Sequence, residues 1–166
     1  MLLCSNVRPF LVFIMKIKVI ELMISEKYDI EIETESEYIY GVETAAPIFC
    51  KEIGSANIEK IALLCLDNTN KIINFSIISM GNIHSVNISV EQIIKTALLS
   101  NSSKVIVAHN HPSGIGEITS LDIEMTKKIG MLLKYFNIEL IDSLVITSMN
   151  AFSIRESLGE KRNDRQ

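Results

Sequence analysis

A short apolar run, Lys104-Val105-Ile106-Val107-Ala108, leads directly into His109-Asn110-His111-Pro112-Ser113-Gly114, and an acidic residue, Asp122, follows eleven residues after His111. This junction constrains the chain more than any other stretch, because apolar scaffold gives way there to groups that can bind a metal. The run has the character of a buried strand. Strand side chains alternate, so histidines at i and i+2 point to one face and both imidazoles can reach one ion. Asn110, between them, points away and holds the loop, while Pro112 and Gly114 shape the turn that follows. Asp122 lies near the start of a helical pattern running from Leu121-Asp122-Ile123-Glu124-Met125 onward. A loop that folds back brings that first helical turn to the strand end. Two neutral imidazoles and one carboxylate suit zinc and leave a fourth tetrahedral position for water.

The rest of the 166 residues reads as one globular domain, and a 48% apolar composition is enough for a real core. The formal charge of -4 argues against a protein whose main work is gripping phosphates, since that depends on clustered Lys and Arg. Cys4, Cys50 and Cys65 are few, odd in number and without CxxC spacing, so they read as reduced thiols of a cytoplasmic protein. Cys50 and Cys65 read further as small buried hydrophobes.

Along the chain, residues 1–14 are the least domain-like. The apolar stretch from Pro9 to Met15 falls short of the ~20 residues that span a bilayer, and Lys16 and Lys18 stand where a signal peptide needs small residues. We expect 1–14 to be dispensable, 15–35 to form a strand-like arm, 36–158 to be the domain proper and 159–166 to be a charged tail. Val42 to Gly54 reads as a helix, with Pro47 tolerated near its first turn and Gly54 as its stop. Ile58–Asp67 and Lys71–Ser79, joined at Asn68-Thr69-Asn70, read as a long hairpin whose first strand is central. A helix from Val90 to Leu99 has Ser89 as its N-cap, with Gln92 completing a capping box. His84 has neither partner spacing nor a neighbouring carboxylate and reads as a surface or strand-pair residue. Thr119 to Tyr135 is the longest amphipathic helix, with Ile118, Leu121, Met125, Ile129, Leu132 and Leu133 as its apolar stripe. Asn137 stops it, and strands follow at Ile138–Thr147 and Ala151–Ile154. Together these predict a mixed α/β layer with a largely antiparallel sheet. A hydrolytic metal site also needs a general base; Glu59 stands at the entrance of the hairpin, and on residues alone Glu52, Glu91 and Glu124 compete with it.

The pattern His109-x-His111-Pro112, six residues, a hydroxyl residue at Thr119, two residues and Asp122 resembles the signature of the JAB/MPN (JAMM) zinc metalloproteases. The His-Asn-His-Pro-Ser-Gly wording is similar to their bacterial RadC-like branch. The resemblance covers about residues 36 to 158 and implies the cytidine-deaminase-like, α/β architecture of that family. It implies one zinc ion per chain held by His109, His111 and Asp122. It also singles out Glu59, eight residues before Asp67, as the general base that takes a proton from zinc-activated water and hands it to the leaving amine. Thr119 stands where the family usually has Ser; it, or Ser120 beside it, is implied as the donor to the oxyanion formed on an amide carbonyl. Asp142 falls where relatives carry an Asp-His pair, with Ser143 in place of the histidine, and is implied as support behind the ligands. Val90-Glu91-Gln92 replaces the family's Pro-Arg-Glu, which removes an arginine contact to an anionic substrate. The implied function is a zinc peptidase or isopeptidase acting on a peptide or isopeptide, with no membrane partner. Two other readings are a metal-binding interaction module without activity and a DNA-repair role carried by the family name. The acidic chain and the lack of a Gly-rich helix-hairpin-helix-like segment give the last little weight, and a zinc deaminase is set aside because Pro-Cys-x-x-Cys is absent.

Overall fold

The structure, a computed structural model, describes residues 27–32, 36–80 and 86–159. The expectations for residues 1–14, for the strand rhythm after Met15, for His84 and for the tail beyond Gly159 lie outside the described residues.

Strands β1 (Lys60–Leu66), β2 (Ile72–Met80), β3 (Lys104–Asn110), β4 (Glu139–Ile146) and β5 (Ala151–Ser153) form one sheet in the order β2-β1-β3-β4-β5. All neighbours are antiparallel except β3 and β4, which run parallel. A parallel pair needs a crossover. Helix α3 (Ser120–Lys134) supplies it, and so the connection that must leave the end of β3 is the loop that carries the candidate ligands. The expected hairpin is β1–β2, with Asn70 at φ 71 in its turn, and the expected mixed α/β layer with a mostly antiparallel sheet is what forms.

Strand alternation divides the core into two layers. Ala62, Leu64, Leu66, Ile106, Ala108, Leu144 and Ile146 pack against helix α1 (Val42–Phe49) and the π-helical turn Cys50–Gly54. On the other face Ile61, Leu63, Cys65, Val105 and Val107 pack against α2 (Val86–Leu99) and α3. With both faces covered, β1 and β3 are buried almost throughout, as their unbroken apolar runs require. Cys65 is a buried free thiol, as its sequence suggests, whereas Cys50 is only half-buried.

Three local expectations change. Pro47 is not near a first turn but is the sixth residue of α1, and the helix widens to π geometry from Cys50. Proline lacks an N–H and crowds the turn before it, so its disturbance falls within α1, on the Glu43 side, and not in the π turn that follows. Ser89 lies inside α2 instead of capping it, since α2 runs from Val86; a cap contributes only about 1 kcal/mol, less than the packing of a helix face. Leu121 is exposed, and the buried row of α3 is Asp122, Met125, Ile129 and Leu133. A carboxylate therefore occupies the first position of an otherwise apolar stripe. The polar segment ahead of α1 pairs only briefly with the sheet, through Ile39 N–H to Asn70 O and Ile72 N–H to Glu37 O. Among the described residues no helix is long and apolar enough to cross a membrane.

Candidate metal centre

His109 is the penultimate residue of β3, and His111 is the first residue beyond it, held to the sheet by its N–H to Ile146 O at 2.9 Å. Their side chains share a face, and the Nε2 atoms stand 3.1 Å apart. The turn after them closes with Gly114 N–H donating to His111 O at 2.9 Å, and Gly114 takes φ +74, a left-handed conformation that glycine accepts without strain. Ser113 is exposed and its Oγ accepts from Ile115 N–H at 3.3 Å.

The loop returns at Thr119, the N-cap of α3. Its Oγ accepts from the Asp122 N–H at 3.3 Å, while its own N–H and hydroxyl donate to Asp122 Oδ2 at 2.8 and 2.7 Å. This reciprocal box fixes the rotamer of Asp122 as it starts the helix. The carboxylate thereby reaches the strand end, with Oδ1 3.0 Å from His109 Nε2 and Oδ2 4.0 Å from His111 Nε2. Burial alone would raise the Asp122 carboxyl. The hydrogen bonds from His109 and from the hydroxyl and N–H of Thr119, with the attraction of His109, outweigh it and hold the group far below the usual carboxylate range.

His109, His111 and Asp122 therefore form a group able to bind a metal, with one donor atom from each lying within 4.8 Å of the others. The chemistry of the set fits zinc. Bonds of about 2.0–2.1 Å at tetrahedral angles separate neighbouring donors by about 3.3 Å, and the 3.1 Å between the two Nε2 atoms and the 3.0 Å from His109 Nε2 to Asp122 Oδ1 lie close to that value. His111 Nδ1 is 2.9 Å from Ile115 O, so the proton sits on Nδ1 and the Nε2 lone pair is left for an ion. His109 Nδ1 is buried with no hydrogen-bond partner.

Asn110 does what strand alternation suggests. It is fully buried on the opposite side, with Oδ1 accepting from Lys60 N–H at 2.7 Å and Nδ2 donating to Ala56 O and Ile58 O at 3.2 and 3.1 Å. These bonds tie the segment that carries Glu59 to the strand that carries the histidines. Glu59 immediately precedes β1, two residues before Ile61, which pairs with His109. Glu59 would share the face of the two imidazoles if the alternation of β1 carried one residue beyond its start, and it is half-buried. Glu52 lies in the π-helical turn beneath the other face, and Glu124 is exposed on α3. Ser120 is exposed at the first position of α3.

Asp142 is not behind the ligands. Its carboxylate accepts from Ser143 N–H at 2.7 Å, from the Ser153 hydroxyl at 2.7 Å and from Arg155 N–H at 3.4 Å. The reason is an irregularity in β4: the register slips between Val105 and Ile106, and Asp142 turns toward the edge where β5 leads into helix α4 (Ile154–Ser157). Burial there raises its carboxyl. The capping of Asp122 by Thr119 and the hold of the Ile115 carbonyl on His111 are additional to the sequence reading. The first has a signal, Thr-x-x-Asp before an apolar run; the second, a backbone contact, has none.

The sequence from residue 39 to 160 matches the family model for the RadC-like JAB domain. The chain is 33% identical over 116 residues to a UPF0758 protein of Finegoldia magna, covering 70% of this chain and 52% of that protein. It is 38% identical over 99 residues to a UPF0758 protein of Coxiella burnetii, with 60% and 44% covered, and 35% identical over 105 residues to one of Histophilus somni, with 63% and 47% covered. It thus spans about half the length of the curated relatives it matches. A match over this much of the chain makes it a member of the RadC-like JAB domain family.

Proposed function

We propose that the chain is a zinc-dependent peptidase or isopeptidase. The observation that carries the reading is the convergence of His109, His111 and Asp122 at one strand end, beside the strand that Glu59 immediately precedes. Zinc held by the three would polarise an amide carbonyl and lower the pKa of water toward ~7. Glu59 takes the proton of the attacking water and returns it to the departing amine. Asn110 keeps Glu59 in step with the histidines through the Ala56–Lys60 segment. The Asp122 carboxylate stays ionised through its bonds to Thr119. The Thr119 hydroxyl can turn from Asp122 Oδ2 toward a developing oxyanion, because the Thr119 N–H keeps its own bond to that oxygen. The substrate class is a peptide or isopeptide amide.

One observation favours a second reading, a metal-binding module without turnover: the hydroxyl proton of Thr119 is engaged by Asp122. Hydrolysis of a fluorogenic peptide and isopeptide panel by the zinc-loaded chain separates the two. We expect cleavage that is abolished by a chelator and restored by zinc, and that falls about a thousandfold in Glu59→Gln while zinc is retained. Zinc binding without cleavage of any panel member, or activity that survives Glu59→Gln, would reject the hydrolase reading.

A further inference from the structure

We propose that Phe152 is a positioning residue for His111: its ring props the Gly116 backbone and so holds the Ile115 carbonyl that fixes the imidazole. The inference rests on the zinc reading above. Strand pairing carries one row across the sheet, with Ile61 opposite His109, His109 opposite Val145 and Val145 opposite Phe152. Directly paired residues share a face, so the Phe152 side chain rises from the same face as His109. There it meets the loop that returns toward α3. A Cβ built on Gly116 would lie 1.9 Å from Phe152 Cε2 and 2.5 Å from both Cδ2 and Cζ, so the ring occupies the space that a side chain at 116 would claim.

The adjoining residue is Ile115, whose carbonyl accepts from His111 Nδ1 at 2.9 Å. Ile115 is 62% exposed, so its own side chain does not anchor that carbonyl. Gly116 has no side chain to do so; the ring against its backbone is a packing contact on the far side of Ile115 from the Ile115 N–H bond to Ser113 Oγ. The two imidazoles differ in how much they need such help. His109 belongs to β3 and is buried among its neighbours, whereas His111 stands one residue past the strand. A carbonyl on Nδ1 sets both the ring orientation and the tautomer that leaves Nε2 free for metal.

The test uses the full chain with Phe152→Ala, which removes the prop, Gly116→Ala, which drives a methyl group into the ring, and Phe152→Tyr, which keeps the ring. Phe136→Ala is the control, an exposed aromatic beyond the opposite end of α3 from Asp122. Zinc affinity is read by competition with a chromophoric chelator. The His111 tautomer is read in the metal-free protein by nitrogen-15 NMR. We expect Phe152→Ala and Gly116→Ala to bind zinc about tenfold more weakly and to lose the fixed Nδ1–H tautomer, with Phe152→Tyr and Phe136→Ala unchanged in both. Folded Phe152→Ala and Gly116→Ala proteins with unaltered affinity and tautomer would overturn the proposal, and Gly116→Ala alone decides if Phe152→Ala does not fold. If the unsubstituted chain bound no zinc, the metal reading would fail, while the tautomer would still decide the role of Phe152.

Discussion

Two carboxylates are buried to nearly the same depth in this molecule, Asp122 at 7% and Asp142 at 8% exposed, and they do opposite things. Asp122 faces two imidazoles and is braced by a hydroxyl and an N–H, and its carboxyl is held low. Asp142 faces a hydroxyl and two backbone N–H groups at the corner of β4, β5 and α4, and its carboxyl is raised by burial. Depth alone therefore does not mark a site. What distinguishes the two corners is whether the carboxylate's partners can also donate lone pairs to a cation: imidazole nitrogens can, and N–H and O–H donors committed to a carboxylate do not.

The comparison breaks most readily at the ligands. Asp122→Asn or His109→Ala is expected to weaken zinc binding by more than about a hundredfold, beyond the 10–100-fold range of outer partners, while Asp142→Asn leaves it unchanged; equilibrium dialysis with metal analysis checks both. Comparable losses at the two aspartates would end the distinction. Asp142→Ala sharpens it from the other side. It strands three donors at the β5–α4 corner and is expected to lower unfolding stability by about 3 kcal/mol in a denaturant titration, with zinc affinity intact.

A smaller effect is expected at the helix start. Thr119→Val removes the cap and should cost about 1 kcal/mol, whereas Thr119→Ser should retain it, as paired denaturant melts will register. The smallest effect is in pH dependence. Asp122, with its native pKa depressed, contributes stability that is complete above the unfolded value near pH ~4 and is lost as pH falls through the native one. Asp142, with its native pKa raised, holds its proton in the folded state where the unfolded chain has released it, so stability declines as pH rises through that window. In metal-free protein, going from pH 3 to pH 7 should increase the deficit of Asp122→Asn relative to the parent and shift Asp142→Asn in its own favour.

Much of this was legible in the sequence because it rests on periodicity. Period-two alternation paired His109 with His111 and turned Asn110 away, and the unbroken apolar runs marked β1 and β3 as central. The order of helices and strands followed from the same patterns. What escaped had no periodic sign. Asp142 looked like support for the ligands because one-dimensional spacing says nothing of the register slip in β4 that aims it elsewhere. The boundary of α2 depends on packing, which outweighs the local preference of Ser89, and the widening to π geometry has no periodic sign, although the turn ends at Gly54 as its sequence suggests. Phe152, forty-one residues from His111 in the chain, joins the loop only through pairing across three strands.

The most direct measurement is native mass spectrometry of the zinc-loaded chain after removal of excess metal, beside Asp122→Asn and Asp142→Asn. We expect one zinc per chain in the parent and in Asp142→Asn, and none in Asp122→Asn. A parent chain that retains no zinc, or an Asp122→Asn protein that retains it as well as the parent does, would contradict the assignment of His109, His111 and Asp122 as its ligands.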